Sequence, residues 1–508
     1  MADTKREIER KFEFSTTKAG RRGVPDLTGT AAIAAVTDQG TAELDAVYYD
    51  TPDQRLAADG LTLRRRTGGK DAGWHLKLPV APGVRDEITA PLGDTLPDAL
   101  TALLRSRVRD TPLEPQVRLL SSRKLSHLLD ADGALLAELS TDAVRAERAG
   151  ATAAWTEVEV ELADGADPAL LDAVEKTFRK AGLRVSDAPS KLARALAETG
   201  GEPPARAAGA GPGLAEDTVG AHVLAYLREQ RDTLIAQDPA VRRGLPDSVH
   251  QMRVATRRLR SAFKTYRRVL DTAETGPVGE ELRWLAAELG VDRDQEVLLE
   301  RLQTRLDELP RTLVLGPVRG RLKIWNVARR TGSRRAALAA LDSRRYVVLL
   351  GALDALLADP PLLKAAARPA ESALPAAVLA DYERLTGRIE SALSMDPGEG
   401  RDLALHEARK AAKRTRYAAE AAAPALGKPA RKLAKAVKAV QSLLGDHQDG
   451  VVAREALRGL AIQAAGAGES AFTWGLLYGR EEALAERRER ELPQVWAATA
   501  RPAAVVRG

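Results

Sequence analysis

The chain of 508 residues is too long for a single hydrophobic core and corresponds to two or three domains. Its 44% hydrophobic and 29% charged residues exclude a disordered chain, and the lack of Cys excludes disulfides and thiolate metal sites. The net charge of +6, from 77 basic and 71 acidic residues, hides local basic clusters, which imply a polyanionic partner without identifying it.

The first 200 residues contain short runs that alternate between apolar and polar residues, separated by turn signals such as Asp59-Gly60 and Gly68-Gly69. These runs predict eight strands, at residues 6–14, 42–50, 61–66, 74–78, 86–90, 117–125, 135–139 and 155–162. Helical patterns occur at residues 28–36, 97–104, 168–181 and 190–198. We therefore expect an α+β domain over residues 1–200, built as an eight-stranded antiparallel barrel or tunnel with flanking helices.

Charged residues occupy every second position of several predicted strands, and residues two apart share one face of a strand. The clearest runs are Glu7, Glu9 and Lys11, and Glu157, Glu159 and Glu161. One such face usually meets solvent, but several strands with like-spaced charges favour a charged barrel interior. Such an interior is too costly to be dry, and a metal-bound polyphosphate would neutralise both signs of charge. Without Cys, the metal would be a hard cation such as Mg²⁺ or Mn²⁺.

These residues resemble the signature of the CYTH, or triphosphate tunnel metalloenzyme, superfamily, which begins with Glu7-x-Glu9-x-Lys11. The motifs that follow in that family's order are Tyr48-Tyr49-Asp50-Thr51, Leu61-Thr62-Leu63-Arg64-Arg65-Arg66, Lys77, Arg85-Asp86-Glu87, Arg123, Asp142, Glu157-Val158-Glu159-Val160-Glu161 and Ser190-Lys191. The resemblance covers residues 5–198 and implies Mg²⁺- or Mn²⁺-dependent cleavage of the terminal phosphoryl group of a triphosphate.

The resemblance also implies roles for individual residues. The metal ligands would be Glu7, Glu9, Glu159 and Glu161. The catalytic residues would be Lys11, Arg64, Arg66, Lys77 and Glu157, and the substrate phosphates would bind Arg85, Arg123 and Lys191. No certain general base is evident: we expect a metal-bound water beside a Glu, and we interpret His75 as part of the tunnel wall.

A stretch rich in Gly, Pro and Ala at residues 201–213 predicts a linker. Nearly everything after it shows helical periodicity, and we expect a second domain over residues 214–500. The predicted helices cover residues 214–237, 248–270, 279–289, 293–307, 375–393, 402–423, 429–444 and 449–465.

This helical region contains an internal repeat. His250, Arg253, Arg257 and Arg260 match His406, Arg409, Lys413 and Arg416 in order and spacing. Leu289-Gly290 and Asp294 match Leu444-Gly445 and Asp449 at nearly the same offset. The repeat predicts an all-α domain of two pseudo-symmetric helical bundles.

The cations in each copy recur every three or four residues, which places them on one face of a helix. A single row, or stripe, of cations can simply be a helix face that meets solvent. Two copies of the row instead favour a bound polyanion, which would relieve the repulsion between like charges. The blocks resemble the CHAD domain, a helical module often fused behind CYTH domains, over residues 214–490. That resemblance implies polyphosphate binding where the two bundles meet. The candidate residues are His250, Arg253, Arg257, Arg260, Lys264, Arg293, His406, Arg409, Lys413, Arg416, Lys435 and Lys438.

The sequence therefore predicts a metal-dependent triphosphatase with a helical domain that binds polyphosphate. Two alternatives remain open, namely a non-catalytic protein targeted to polyphosphate granules and a CYTH-type nucleotide cyclase. The expected partners are inorganic polyphosphate and small triphosphates rather than specific nucleic acid or membranes, because the stripes hold almost no aromatic residues for base stacking. Neither an apolar signal core nor a run of about 18 apolar residues occurs, so we expect a cytoplasmic location and association with polyphosphate granules.

Overall fold

The computed structural model describes residues 3–201 and 213–507, apart from the side chains at 291–294, 296, 328–333 and 507. These residues form two compact units, Met1–Ala208 and Gly209–Gly508. Most of the predicted linker, residues 202–212, lies outside the described part of the chain. None of the described helices combines the length and the apolar character that a membrane span requires.

Within residues 3–201, eight antiparallel strands close into a ring, which confirms the predicted barrel. The strands are β1 (Asp3–Phe14), β2 (Ala35–Asp50), β3 (Thr62–Thr67), β4 (Gly73–Ala81), β5 (Val84–Pro91), β6 (Glu114–Leu129), β7 (Leu135–Arg148) and β8 (Ala151–Leu162). Their order around the ring is β5-β4-β3-β2-β6-β7-β8-β1, and β1 closes the ring by pairing with β5. A short strand, β9 (Leu183–Val185), extends the sheet at the end of β1.

Helices flank this ring. They are α1 (Thr17–Arg22), α2 (Arg55–Ala58), α3 (Asp98–Val108), α4 (Ala169–Ala181) and α5 (Lys191–Glu198). The predicted helix at 28–36 is wrong: this stretch forms turns before β2 begins at Ala35. The side chain of Asp26 accepts a hydrogen bond from the backbone N–H of Thr28 (3.0 Å), and Gly29 has a φ of +81°. These local features favour a turn over a helix.

The apolar faces of the strands point away from the ring and pack beneath the helices. Phe12 of β1 and Val158 of β8 share a core with Phe178 of α4. Leu76 of β4 packs in a second core with Leu104 of α3. Neighbouring residues of a strand face opposite sides. Since these apolar side chains are buried outside the ring, the charged residues between them face its interior.

The second unit is helical throughout its described length, as predicted. Its helices are α6 (Val219–Arg243), α7 (Ser248–Thr265), α8 (Thr272–Glu288), α9 (Gly290–Asp307), α10 (Val318–Asp342), α11 (Arg344–Ala358), α12 (Ala370–Leu393), α13 (Glu399–Leu426), α14 (Lys428–Gly466), α15 (Phe472–Ala497) and α16 (Ala500–Arg507). One core includes Leu259 of α7, Leu385 of α12 and Ala412 of α13. A second core joins Leu306 of α9 and Trp474 of α15.

The break predicted between residues 444 and 449 is absent, because α14 runs through it without interruption. Gly445 lies in the middle of this helix and has no side chain to separate it from α13. A Cβ at position 445 would lie 3.6 Å from Nε of Arg409. The glycine therefore marks the close approach of an arginine rather than the end of a helix.

Candidate functional site

Charged side chains line the interior of the ring around a space of about 740 Å³, which includes the solvent at its open end. The register of β1 against β8 places two acids, Glu9 and Glu161, opposite each other and sets Lys11 opposite the acid Glu159. The residues predicted from the sequence that line this tunnel are Glu7, Glu9, Lys11, Arg64, Arg66, Lys77, Arg85, Arg123, Glu159, Glu161 and Lys191.

Lysines pair with the tunnel carboxylates of β1 and β8. The pairs are Lys77–Glu7 (2.6 Å), Lys11–Glu9 (3.1 Å), Lys11–Glu159, Lys191–Glu159 (2.7 Å) and Lys5–Glu161 (2.5 Å). Burial raises the pKa of Glu7 to about 7 although Lys77 opposes the shift. Burial also acts on Glu9, but Lys11 and Lys77 outweigh it and lower the pKa of this carboxyl. The lysines thus stabilise the negative charge of Glu9 and leave that of Glu7 undercompensated.

Lys191, the first residue of α5, joins three carboxylates beside the tunnel. Its Nζ lies 3.0 Å from Asp142, 3.0 Å from Glu157 and 2.7 Å from Glu159. Asp142 is also held by the fork of Arg123, with both hydrogen bonds at 2.7 Å. Glu157 is 1% exposed and lies behind the residues that line the tunnel. Its predicted catalytic role would therefore act through Lys191 rather than by contact with a ligand in the tunnel.

Arg64 and Arg66 of β3 bring two cations into the tunnel, where Arg64 pairs with Glu87 and Arg66 pairs with Asp71. Burial, with Arg64 and Arg123 nearby, lowers the pKa of Arg66 to about 9. Arg64 donates to the hydroxyl of Tyr48 (3.4 Å) and to Glu87 (3.5 Å). Because guanidinium groups offer forked donors, a phosphate beside these arginines would relieve their mutual repulsion.

Sequence reasoning missed Lys5 and Asp71, which also line the tunnel, and it named Tyr48 and Glu87 in motifs without assigning them a role. Lys5 continues the two-residue alternation of Glu7 and Glu9, so the strand pattern itself could have identified it.

His75 lies behind Glu87 rather than in the tunnel lining. Its Nδ1 is 3.0 Å from Glu87, and its Nε2 is 2.8 Å from the carbonyl oxygen of Asp71. A carbonyl oxygen only accepts, so Nε2 carries a proton. His75 therefore orients Glu87 and belongs to the wall, where the sequence placed it.

The tunnel carboxylates fit a hard divalent cation. Glu7, Glu9, Glu159 and Glu161 offer only oxygen ligands, which Mg²⁺ and Mn²⁺ prefer. The raised pKa of Glu7 indicates that the lysines leave room for further positive charge. These four residues would hold the ion.

Among the described residues, the most compact group of metal-ligand atoms lies elsewhere. In the helical unit, Asp402, His447 and Glu489 bring one ligand atom each within 4.8 Å of the others. Arg454 pairs with Asp402 (2.9 Å) and Arg401 pairs with Glu489 (3.1 Å). Both carboxylates are already neutralised by arginine, so we interpret this group as an ion-pair network that joins α13, α14 and α15.

In each repeat copy, one arginine packs against the glycine of that copy's Leu-Gly motif. Arg253 Nη1 donates to the carbonyl oxygen of Gly290 (3.3 Å), and a Cβ on Gly290 would lie 3.2 Å from this guanidinium. In the second copy, Arg409 lies in the same way against Gly445. The glycine in each Leu-Gly motif therefore provides room for the arginine of its own copy.

Cations of both copies meet where α7 packs against α13. We call Arg253, Arg257, Arg409 and Lys413 the basic cluster. Burial, together with Arg409 and Arg257 nearby, lowers the pKa of Lys413 to about 7. Asp449 of α14 faces this cluster, with its Oδ1 3.8 Å from Arg409 Nη2. The cluster thus concentrates positive charge from both repeats in one place.

The remaining predicted cations of the helical unit occupy other surroundings. Arg416 pairs with Glu420 (3.3 Å), which neutralises it. Burial, with Lys410 nearby, lowers the pKa of His406, which therefore contributes no charge at neutral pH. Lys435 and Lys438 are exposed on α14. The side chain of Arg293 falls in the stretch of α9 outside the described side chains.

Arg260 and Lys264 line a separate pocket between α7 and α8, and His250 lies near the start of α7. The structure thus divides the predicted α7 stripe between two groups of cations.

The first unit is thus a closed ring around a tunnel lined by acids and bases, and the second is a helical unit with a basic cluster. Residues 5–196 match the CYTH domain model and residues 225–458 match the CHAD domain model. The chain belongs to the CYTH–CHAD family.

Two proteins of Mycobacterium tuberculosis, from strains CDC 1551 / Oshkosh and ATCC 25618 / H37Rv, are 42% identical to this chain. The similarity covers 96% of this chain and 94% of each relative, both of which are described as uncharacterized.

Solved structures show more distant likenesses. PptA from Streptomyces chartreusis has a TM-score of 0.47 and 23% identity, over 55% of this chain and 99% of its own. HpAC1 from Hippeastrum, for which a dominant triphosphatase activity is described, has a TM-score of 0.24 and 18% identity, over 39% of this chain and 97% of its own. Because both scores are below 0.5, the family assignment depends on the sequence matches.

We predict that Lys191→Met destabilises the barrel by about 3–5 kcal/mol at neutral pH, because it leaves Asp142, Glu157 and Glu159 without their shared cation. Nearby cations hold the pKa of Asp142 and of Glu159 below the usual values, so this stabilisation is present at neutral pH and fades as pH falls. Urea unfolding at pH 7 and near pH 4 measures the difference.

Lys180→Met, at an exposed position of α4, is the matched control. Equal free energies of unfolding for the two variants at pH 7 would contradict the prediction.

Proposed function

We propose that the tunnel hydrolyses inorganic triphosphate or a related triphosphate with Mg²⁺ or Mn²⁺, and that the helical unit binds polyphosphate. One observation supports the first part. The tunnel lining contains carboxylate oxygens, which can bind a divalent ion, and arginine side chains, whose forked N–H groups can bind phosphates. Membership of the CYTH family, which includes triphosphatases and cyclases, supports an enzyme that acts on phosphate compounds.

The chain's own residues would position the substrate. Arg64, Arg66 and Arg123 offer forked donors to phosphate oxygens and would hold the triphosphate extended along the tunnel. A bound divalent ion would supply polarisation of the terminal phosphoryl group and compensation of its developing charge.

Lys11 and Lys77 pair with tunnel carboxylates in this structure and could instead donate to phosphates. In such an exchange the lysines would pair with phosphate oxygens, and the carboxylates would bind the divalent ion in their place. No charge in the tunnel would then be unpaired, which explains why acids and bases are interleaved there.

The basic cluster supports the second part of the proposal. Arg253 and Arg257 of α7 meet Arg409 and Lys413 of α13, so both repeat copies would contact one chain of phosphates. The aromatic residue beside the cluster, Tyr417, is only 3% exposed and cannot serve as a platform for stacked bases. A phosphate chain without bases therefore matches this surface better than nucleic acid does.

We predict that Glu9→Gln lowers Mg²⁺-dependent phosphate release from inorganic triphosphate by about 100-fold or more, because it removes a charged metal ligand from the tunnel. Phosphate is measured colorimetrically with and without chelator, and the products from ATP are separated by chromatography. A cyclic nucleotide as the main product would favour the cyclase alternative.

Glu13→Gln is the matched control on the same strand, since Glu13 pairs with Arg194 (3.0 Å) and Arg184 at the end of β1. The catalytic proposal fails if the parent releases no phosphate, or if the Glu9 variant is as active as the Glu13 variant.

We predict that Arg253→Ala combined with Arg409→Ala weakens polyphosphate binding by about 10-fold or more, because each copy loses the cation that lies on its glycine. Titration calorimetry with long-chain polyphosphate measures the affinity, and a competition assay with duplex DNA tests the partner class. DNA that remains bound in excess polyphosphate would contradict the proposed ligand.

We predict that polyphosphate affinity falls as pH rises above 7. Burial, with Arg409 and Arg257 nearby, holds the pKa of Lys413 at about 7 in the free protein, and a bound anion favours its charged form. Binding therefore adds a proton to Lys413. As pH rises, the affinity decreases by at most about 10-fold per pH unit, until the pH reaches the pKa of Lys413 in the complex.

Titrations between pH 6 and 9 measure this dependence. Lys413→Arg is the control, because its guanidinium stays charged throughout this range and should flatten the curve. A parent and an arginine variant with equal slopes would exclude Lys413 as the source.

A further inference from the structure

A pocket between α7 and α8 continues the basic face of α7 beyond the basic cluster. We call it the α7–α8 pocket. It encloses about 670 Å³, and the residues that carry its chemistry are Arg260, Lys264, Arg267, Arg414, Thr272 and Thr275. Arg257 of the basic cluster and Lys264 of the pocket are seven residues apart, which corresponds to about 10 Å along the helix. Residues seven apart share one face of a helix, so the two groups of cations follow each other along the same face of α7.

The cations of this pocket are only partly neutralised. Burial lowers the pKa of Lys264, and Arg260 and Arg414 lower it further. Arg414 pairs with Asp381 (2.8 Å). The acid in the pocket lining, Glu280, pairs with Arg283 (2.6 Å). An anion in the pocket would thus meet net positive charge and the hydroxyl groups of two threonines.

The second repeat copy lacks this extension. The residues of α13 that correspond to Arg260 and Lys264 are Arg416 and Glu420. Glu420 accepts from Arg258 (3.0 Å) and lies 3.3 Å from Arg416, so the basic face of α13 ends in ion pairs. Where α13 carries a carboxylate, α7 carries Lys264, which has no ion pair among the described residues. The path for an anion is therefore open in one direction only.

We propose that the α7–α8 pocket is a second phosphate subsite, which holds the continuing end of a polyphosphate chain bound at the basic cluster. The inference extends the proposed polyphosphate binding and depends on it. Phosphate groups match the lysine, arginine and hydroxyl donors of this pocket, whose lining also includes the ring of Phe263. The chain would leave the cluster along α7 rather than along α13.

The test compares two exposed lysines of the helical unit in the full chain. Lys264→Glu introduces the residue type that α13 has at Glu420, whereas Lys323→Glu makes the same charge change on α10. We expect Lys264→Glu to weaken binding of long-chain inorganic polyphosphate by about 10-fold and to reduce the slope of log affinity against log salt by about one. Lys323→Glu should change neither quantity appreciably.

Arg409→Ala serves as the reference for the basic cluster. If Lys264→Glu has no more effect than Lys323→Glu while Arg409→Ala weakens binding, the subsite is wrong and the proposed polyphosphate binding stands. If all three variants bind like the parent, the proposed binding function itself fails. Lys264 is exposed, so its substitution should leave the melting temperature unchanged. Arg267→Ala, at a second exposed cation of the pocket, repeats the test independently of Lys264.

Discussion

Charge that is enclosed by protein must be neutralised within the structure or by a ligand, and both units depend on this constraint. In the barrel, the register of β1 against β8 sets Lys11 opposite Glu159, so ion pairs stabilise an interior that cannot be an apolar core. The pairing is incomplete, since the pKa of Glu7 is raised and that of Arg66 is lowered. These two residues mark where additional positive and negative charge would be accommodated.

Much of the barrel could be predicted because strand geometry is periodic. Once Phe12 and Ile8 are assigned to one face of β1, Glu7, Glu9 and Lys11 must share the other. The ring closes because β1 pairs with β5 as well as with β8, and this closure converts a charged face into a tunnel. The pattern could not predict which charged residues reach the tunnel space. Glu157 alternates in the same way as Glu159, yet it does not line the tunnel, because Lys191 of α5 pairs with it and covers it.

Several local signals in the sequence have two structural meanings, in the barrel as well as in the helical unit. Gly445 looks like a helix end in the sequence, but its role is to let Arg409 approach, and α14 continues through it. Arg416 follows the stripe of cations, yet Glu420 one turn later neutralises it. Residues 28–36 carry a helical spacing of apolar residues, but Leu27 and Ile33 serve the barrel core from turns. Side-chain partners, not spacing, decided each case.

The two units differ in the acids that accompany their cations, and that difference separates two kinds of phosphate chemistry. In the tunnel, Glu7, Glu9, Glu159, Glu161 and further carboxylates lie among lysines and arginines, so the same space can accommodate a divalent ion and a phosphate chain. At the basic cluster, Asp449 is the carboxylate that the described residues place beside Arg409 and Lys413. A single carboxylate among several cations is poorly suited to retain a divalent ion, which hydrolysis in our proposal requires. We therefore infer that the helical unit would hold phosphate chains without cleaving them, and that cleavage would be confined to the tunnel.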